Sequence, residues 1–247
     1  MSLTNKVAVV TGGSNGIGAA AVRMLAAEGA TVAVGYSTNR DRAEALIKQL
    51  PAGRHSSFAL KLEDGASVKR AAGEIKAAHG RCDILVNSGG FTKPIPHANL
   101  DALDDDFIDL ILRANARGPF SMIRALAPML KAGGDGVIVN VSSIGATTGG
   151  GSNIAYCMSK AALDVMTMSL ARVLGPEIRV LGVSPAAVAT DFVAGRGRPE
   201  LEKLAANTPM KKVTEPDDVA RAILACVTHL RSSTGTQIVV DGGRHLV

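Results

Sequence analysis

The chain has 247 residues, of which 47% are hydrophobic, 20% charged and 3% aromatic, with a formal net charge of +5. This length fits one large domain or two small ones, and the apolar content suffices for a sizeable core built from aliphatic side chains. No apolar run approaches the ~20 residues that span a bilayer, and residues 1–6 lack a signal peptide's apolar stretch, so we expect a cytoplasmic protein without a membrane segment.

Strand-like and helix-like segments alternate along the whole chain. Such repeated units imply a parallel sheet with helices on both faces. We therefore predict a doubly wound α/β fold of about seven strands, in a single domain over residues 1–247. In chain order the predicted elements are strand 6–11, helix 17–28, strand 31–35, helix 42–50, strand 56–62, helix 66–79, strand 83–87, helical zone 103–130, strand 136–142, helix 155–174, strand 178–184, helix 217–230 and strand 237–241.

The least regular stretch is residues 186–212. Within it, Gly195, Gly197 and Pro199 lie between charged residues. In an otherwise compact chain, such a segment favours a lid over a linker between domains.

Charge and cysteine content limit the classes of ligand that we expect the protein to bind. The basic residues are dispersed, so the sequence predicts no nucleic-acid partner, and either a phosphate-bearing ligand or solvated surface charge explains the net charge of +5. Cys82, Cys157 and Cys226 have no metal-ligand spacing. We interpret them as reduced, apolar residues and expect no metal site.

A glycine-rich loop follows the first predicted strand. It runs from Thr11 to Gly18 as T-G-G-S-N-G-I-G and leads directly into a helix. Glycines permit a tight turn and let backbone amides approach a pyrophosphate, and the helix N-terminus adds unpaired N–H groups. The spacing is not the usual G-x-G-x-x-G, but the placement between strand and helix favours a dinucleotide site over an ordinary flexible turn.

The end of the second predicted strand indicates which dinucleotide binds. An acidic residue about 20 positions after the glycines would bind the ribose 2′-hydroxyl of NAD. Here residues 36–39 carry hydroxyls and an amide and lead to Arg40, while Asp41 is better placed in the first turn of the next helix. Arg40 suits a 2′-phosphate, so we expect NADP(H) rather than NAD(H). The alternative is that Arg40 is a surface residue.

Tyr156 and Lys160 lie four residues apart in a segment of helix-forming composition, so their side chains should share a face. A free phenol, with a pKa of about 10, is a poor acid or base at neutral pH, but a neighbouring ammonium should lower that pKa. Ser143 precedes the pair. The spacing predicts a proton-transfer site, although the same spacing is also common in ordinary helices.

Together these motifs resemble the short-chain dehydrogenase/reductase family over essentially the whole chain, and look most like 3-oxoacyl-carrier-protein reductases and glucose dehydrogenase-like members. The family's T-G-x-x-x-G-x-G matches residues 11–18, its N-N-A-G-like element resembles residues 87–90, and its Y-x-x-x-K matches Tyr156 and Lys160. A closing D-G-G element matches residues 241–243. The resemblance implies a Rossmann-type fold and an NAD(P)-dependent oxidoreductase.

The resemblance implies roles for four catalytic residues. Tyr156 would exchange a proton with the substrate oxygen, and Ser143 would hydrogen-bond that oxygen. Lys160 would lower the tyrosine pKa and hold the nicotinamide ribose. Asn115 would position a water in a proton relay, or would instead shape a helix kink. Ser142 is a rival for the serine role, but neighbours on a strand face opposite ways and the family spacing favours Ser143.

The same resemblance implies cofactor contacts, with three departures from the family pattern. Ala186 stands where the family often has glycine, Lys61 where an aspartate is expected near the adenine, and Asn15 where NADP-preferring relatives often carry a basic residue. The implied cofactor-binding residues are Gly12, Ser14, Asn15, Gly16, Ile17, Gly18, Tyr36, Ser37, Asn39, Arg40, Leu62, Asn87, Ser88, Gly89, Tyr156, Lys160, Pro185, Ala186, Val188 and Thr190.

The expected reaction is hydride transfer between NADP(H) and a carbonyl or secondary alcohol carbon of a small molecule. Acyl thioesters, sugars, polyols, steroids and aromatic ketones all lie within the family's range. The alternative is a catalytically silent NADP(H)-binding sensor or scaffold. Four basic residues of the lid segment would suit an acidic carrier or phosphorylated substrate, or are simply solvated: Arg196, Arg198, Lys211 and Lys212. The resemblance and the small, apolar side chains of residues 155–174 predict a homotetramer or homodimer.

Overall fold

Seven strands form one parallel sheet in the computed structural model, which describes residues 2–247. The sheet order is β3-β2-β1-β4-β5-β6-β7, and every pair of neighbours is parallel. The Rossmann-type fold predicted from the sequence is therefore confirmed. The strands are β1 (Val7–Thr11), β2 (Thr31–Tyr36), β3 (Ser56–Ala59), β4 (Ile84–Asn87), β5 (Gly136–Val141), β6 (Ile178–Pro185) and β7 (Gln237–Val240).

Helices cover both faces of this sheet. Side chains of α1, α2 and α9 pack into one apolar core, and side chains of α3, α5 and α7 pack into the other. Because β1, β4 and β5 are buried on both faces, they read as continuous apolar runs rather than as alternating patterns. The helices are α1 (Gly16–Ala27), α2 (Arg40–Ile47), α3 (Gly65–His79), α4 (Asp105–Leu112), α5 (Gly118–Ala132), α6 (Gly145–Thr148), α7 (Ile154–Leu174), α8 (Arg198–Ala206) and α9 (Pro216–Thr228).

The helical zone predicted over residues 103–130 is three elements in the structure. A π-helical turn, Arg113–Arg117, separates α4 from α5, and Pro119 lies in the first turn of α5. The helix continues through the π-helical turn, and Pro119 follows that turn, where the ordinary ladder of hydrogen bonds four residues apart is already interrupted. The segment 186–212 is also more regular than predicted, since α8 lies inside it. Pro199 starts this helix, and the Glu200 carboxylate accepts a hydrogen bond from the Gly197 N–H.

The order of the strands positions the functional site. The chain leaves β1 toward β2 on one side and later returns to β4 on the other, so the loops after β1 and β4 diverge at the carboxyl edge of the sheet. In open α/β sheets, ligands bind in the crevice at this switch point. Over residues 2–247, no helix is long and apolar enough to cross a membrane.

Candidate active site

A cleft of about 1000 Å³ runs along the carboxyl edge of the sheet. Its floor comes from the loops that follow β1, β2, β4, β5 and β6, and part of its wall comes from the segment before and within α8. Most of the residues singled out in the sequence line it. Those lining the cleft are Gly12, Ser14, Asn15, Gly16, Ile17, Gly18, Tyr36, Ser37, Asn39, Leu62, Ser88, Gly89, Ser143, Tyr156, Lys160, Pro185, Ala186, Val188 and Thr190.

Two loops touch at the base of the cleft, and only glycine fits there. Gly12 has φ +62°, and a Cβ on it would lie 2.7 Å from the Cα of Gly89. The N–H of Gly89 donates to the Thr11 hydroxyl at 3.0 Å, which ties the two loops together. A Cβ on Gly18 would come within 2.2 Å of the Gly12 carbonyl oxygen. The loop is therefore a cradle of bare backbone, closed tightly onto the start of α1.

The start of α1 offers its N–H groups to the cleft. Asn15 is the N-cap residue, but its side chain forms no capping hydrogen bond. The first N–H groups of the helix thus remain available, and with the helix dipole they favour an anion. The residues present fit the pyrophosphate of a dinucleotide at this position.

The structure places Arg42, and not Arg40, at the far end of the cleft. The guanidinium of Arg40 pairs with Glu44 at 2.6 Å, lies outside the cleft and is 69% exposed. The cause is the N-cap of α2, where the Asn39 side chain accepts a hydrogen bond from the Arg42 N–H. This cap sets the first turn so that Arg42 joins the cleft wall beside Ser37. The N-cap preference of asparagine was the sequence signal that could have identified Arg42.

Ser143, Tyr156 and Lys160 meet at the opposite end of the cleft. Tyr156 lies in the first turn of α7, where the Asn153 side chain caps its N–H at 2.6 Å. Ser143 follows β5 directly, and its hydroxyl accepts a hydrogen bond from the Gly145 N–H at 3.1 Å. Lys160 is buried one turn after the tyrosine, with its Nζ 5.7 Å from the centre of the phenol ring. The predicted cluster therefore forms in the tertiary structure.

The predicted lowering of the Tyr156 pKa is wrong for this structure. Burial raises the pKa of Tyr156 to about 12, and the neighbouring Ser143 hydroxyl and the charge of Arg196 only partly oppose this. Burial also lowers the pKa of Lys160 to about 8. Helical spacing brings the two side chains together, but it says nothing about the cost of burying charge, and burial is the largest cause of both shifts.

Comparison with known proteins agrees with this geometry. A family model described as Enoyl-(Acyl carrier protein) reductase matches residues 12–245. A 3alpha-hydroxysteroid dehydrogenase of Mediterraneibacter gnavus is 36% identical, over 98% of each chain. A 3-oxoacyl-[acyl-carrier-protein] reductase of Thermotoga maritima is 31% identical, over 98% of this chain and 99% of the relative. A short chain dehydrogenase from Burkholderia cenocepacia, solved in complex with NADP, superposes with a TM-score of 0.89 at 35% identity, and the match covers 99% of each chain.

The chain belongs to the short-chain dehydrogenase/reductase family. The family resemblance inferred from the motifs is thereby confirmed, and the relatives are named dehydrogenases and reductases. As a member of this family, the protein is an oxidoreductase. Among the residues that the structure describes, there is no group of His, Cys, Asp and Glu able to hold a metal ion.

Asn115 is buried behind the cleft and does not line it. It lies in the π-helical turn, and its amide forms two hydrogen bonds of 3.0 Å with the main chain of Phe91 and one of 3.2 Å with the Ser159 hydroxyl. The Ser159 hydroxyl in turn donates to the Tyr156 carbonyl oxygen at 2.7 Å. Asn115 thus joins the loop after β4 to the helix that bears the tyrosine.

Asn87 is likewise buried below the cleft. Its side chain donates to Asn140 at 2.9 Å, and Asn140 donates to the Thr167 hydroxyl at 2.9 Å. This chain of hydrogen bonds links β4, β5 and α7, and so fixes the strand that leads to Ser143 against the helix that carries Tyr156.

The departures from the family pattern have different surroundings. Ala186 lines the cleft, and its N–H donates to the Val240 carbonyl at 3.3 Å, which continues the pairing of β6 with β7. Lys61 is exposed and outside the cleft, whereas the next residue, Leu62, packs beneath Gly89. Thr190 packs its methyl group against Gly16.

The segment before α8 adds residues that the motifs did not identify. Phe192 places its ring 6.0 Å from the ring of Tyr156, centre to centre, and Arg196 lines the cleft on the same side. Whether these two side chains reach the cleft depends on how the segment packs against the rest of the protein. No short sequence motif encodes that packing.

Proposed function

We propose that this protein is an NADP(H)-dependent oxidoreductase that interconverts a carbonyl and a secondary alcohol, with Tyr156 as its general acid and base. The observation that supports this most directly is the meeting of Ser143, Tyr156 and Lys160 at one end of a cleft whose other end is a dinucleotide cradle.

In the reductive direction Tyr156 donates its phenolic proton to the substrate oxygen as that oxygen gains charge. The Ser143 hydroxyl donates a second hydrogen bond to the same oxygen. When bound, the nicotinamide supplies the hydride that reaches the carbonyl carbon. Burial keeps the Tyr156 phenol protonated at neutral pH, as a proton donor in reduction must be. A pKa of about 12 also makes it a weak acid, so efficient proton transfer requires this pKa to fall when cofactor and substrate bind.

Arg42 supports the choice of NADP(H). It lines the end of the cleft together with Ser37, Thr38 and Asn39, and a guanidinium is the preferred side chain for binding a phosphate monoester. The related short chain dehydrogenase from Burkholderia cenocepacia was solved in complex with NADP. We propose that Arg42 binds the 2′-phosphate, which is the role predicted from the sequence for Arg40.

Apolar side chains form part of the cleft lining, and one of them, Phe192, lies near Tyr156. The walls of the cleft include Phe91, Leu110, Phe192, Leu201 and Leu204. Such walls favour an aliphatic or alicyclic ketone over a sugar or polyol, which would need more hydrogen-bonding partners. Hydroxysteroid and 3-oxoacyl substrates, named for two of the relatives, both have this apolar character.

We propose a homotetramer or homodimer in which α7 pairs with its copy. This helix leaves Met158, Val165, Met168 and Val173 between 47% and 67% exposed. Exposed apolar side chains along one helix favour burial against another subunit. Sedimentation velocity at micromolar concentration would show a monomer if this assembly is wrong.

The test of the function is a kinetic comparison. Purified protein is mixed with NADPH or NADH and with a panel of ketones, aldehydes and 3-oxoacyl thioesters, and nicotinamide absorbance is followed. The panel also contains an enoyl thioester, because the matching family model is named for an enoyl-(acyl carrier protein) reductase. We expect turnover of ketones with a preference for NADPH, and loss of nearly all turnover in Tyr156→Phe.

Two results would contradict the proposal. Undiminished turnover by Tyr156→Phe would remove the assigned mechanism. Tight binding of NADPH without turnover of any member of the panel would indicate instead a sensor or scaffold of the same fold.

A further inference from the structure

Arg196 lines the cleft without a side-chain partner, whereas Lys211, which also lacks one among the described residues, is exposed and lies outside the cleft. The side chain of Arg196 is half-buried, yet among residues 2–247 no carboxylate or carbonyl accepts a hydrogen bond from its guanidinium. A half-buried guanidinium loses part of its hydration, so it gains most from an anion brought in by a ligand.

The neighbouring cations already have partners, and two of them are paired with acids. Arg198 pairs with Glu202 at 3.2 Å and with Glu215, and Lys212 pairs with Asp218 at 3.0 Å. The Arg244 guanidinium, which also lines the cleft, donates to a main-chain carbonyl of α8 at 3.2 Å. Glu202, Glu215 and Asp218 are therefore occupied by other cations, and of Arg196, Lys212 and Arg244, which all line the cleft, Arg196 is the one whose side chain has no partner among the described residues.

Arg196 also lies at the reacting end of the cleft. Its charge acts on the Tyr156 phenol, whose pKa it lowers. Phe192, four residues earlier in the same segment, packs toward the ring of that tyrosine. Glu200, the acid nearest in sequence, accepts a hydrogen bond from the Gly197 N–H. Asp191 lines the same cleft and also a depression with Gly16 and Thr190, but within the described residues it forms no ion pair with Arg196.

We propose that Arg196 binds a carboxylate of the substrate, so that the substrate is an oxo acid with an aliphatic chain. This inference rests on the proposed function, because it takes the substrate carbonyl to lie between Ser143 and Tyr156. The planar guanidinium matches a carboxylate with two parallel hydrogen bonds. The apolar walls, including Leu201 and Leu204, cover the chain between the two ends.

The test measures binding without turnover. An oxidised nicotinamide cofactor and an oxo acid cannot exchange a hydride, so their complex with the protein is stable enough for titration calorimetry. In the presence of saturating NADP⁺, we compare 3-oxo and 4-oxo acids with their methyl esters, which keep the ketone and lose the charge. The variants are Arg196→Gln, Arg196→Lys and, as matched control, Arg198→Gln.

We expect at least one acid to bind roughly 10- to 100-fold more tightly than its ester, as for a charge-assisted pair. Arg196→Gln should abolish that difference without changing the affinity for the ester or for NADP⁺. Arg196→Lys should retain part of it, and Arg198→Gln all of it. Raising the salt concentration should weaken binding of the acid and leave that of the ester unchanged.

Four results would overturn the inference: equal affinity for acid and ester in the native protein, an advantage for the acid that survives in Arg196→Gln, an equal loss in Arg198→Gln, or no binding by any acid of the panel. Failure of the proposed function is a separate result, since it appears as absence of NADPH-dependent turnover whatever the charge on the ketone.

Discussion

The ammonium group of Lys160 donates a hydrogen bond to the main-chain oxygen of Val141, 2.8 Å away, at the end of the strand that leads to Ser143. This contact holds the cation against the sheet and over the ring of Tyr156. The lysine is thereby fixed at the centre of the site, where burial makes its charge sensitive to pH.

The first prediction concerns the pH dependence of reduction. Because burial lowers the pKa of Lys160 to about 8, the side chain is charged below that pH and neutral above it. The value of kcat/KM for reduction should be high below pH 8 and fall about tenfold per pH unit above it. Tyr156, with a pKa of about 12, keeps its proton throughout. A profile measured with NADPH that stays flat to high pH would contradict this.

The second prediction concerns Asp164, one helical turn after Lys160. Its charge raises the pKa of the lysine against the effect of burial, and within the described chain its Oδ1 is buried without a hydrogen-bond partner. Asp164→Asn removes that charge, so the pKa of Lys160 falls further and the alkaline limb of kcat/KM should move to lower pH. Asp109→Asn, on the exposed face of α4, is the control and should leave the limb in place. A shift of the alkaline limb of kcat/KM to higher pH in Asp164→Asn would contradict the prediction.

The third prediction separates two arginines two residues apart. Arg42→Gln should raise the Kd for NADPH roughly 10- to 100-fold, because a charged hydrogen bond to phosphate is lost, and should leave the Kd for NADH unchanged. Arg40→Gln removes only an exposed pair with Glu44, so neither affinity should change. Fluorescence titration of both variants with both cofactors measures this. A larger rise in the Kd for NADPH in Arg40→Gln than in Arg42→Gln would instead support Arg40, the residue predicted from the sequence, as the phosphate-binding residue.

The fourth prediction compares two glycines of opposite environment. Gly12→Ala forces a side chain to φ +62° and against Gly89, and should lower the free energy of unfolding by at least about 1 kcal/mol and weaken cofactor binding. Gly73→Ala, in the middle of α3, meets no atom within 4 Å, and should raise the free energy of unfolding by about 0.5–1 kcal/mol. Urea unfolding and NADPH titration report both effects. Similar destabilisation by both changes would contradict the assigned role of Gly12.

Much of the site follows from local sequence. The glycine loop and the Tyr156–Lys160 spacing are encoded within short segments, because turns and helices are set by interactions between near neighbours. The cleft lining includes those residues, as expected. Asn115 and Asn87 were harder to interpret, because their side chains turn toward other elements and lie beneath the cleft.

Local sequence patterns are enough to predict the parallel α/β sheet, the position of the glycine loop and the meeting of Ser143, Tyr156 and Lys160. They do not predict that Arg42 rather than Arg40 reaches the cleft, that Arg196 faces it without a partner among the described residues, or that burial raises the pKa of Tyr156. The reason is physical: helix and strand periodicity is local, whereas hydration, burial and charge pairing depend on which distant segments the fold packs around each group.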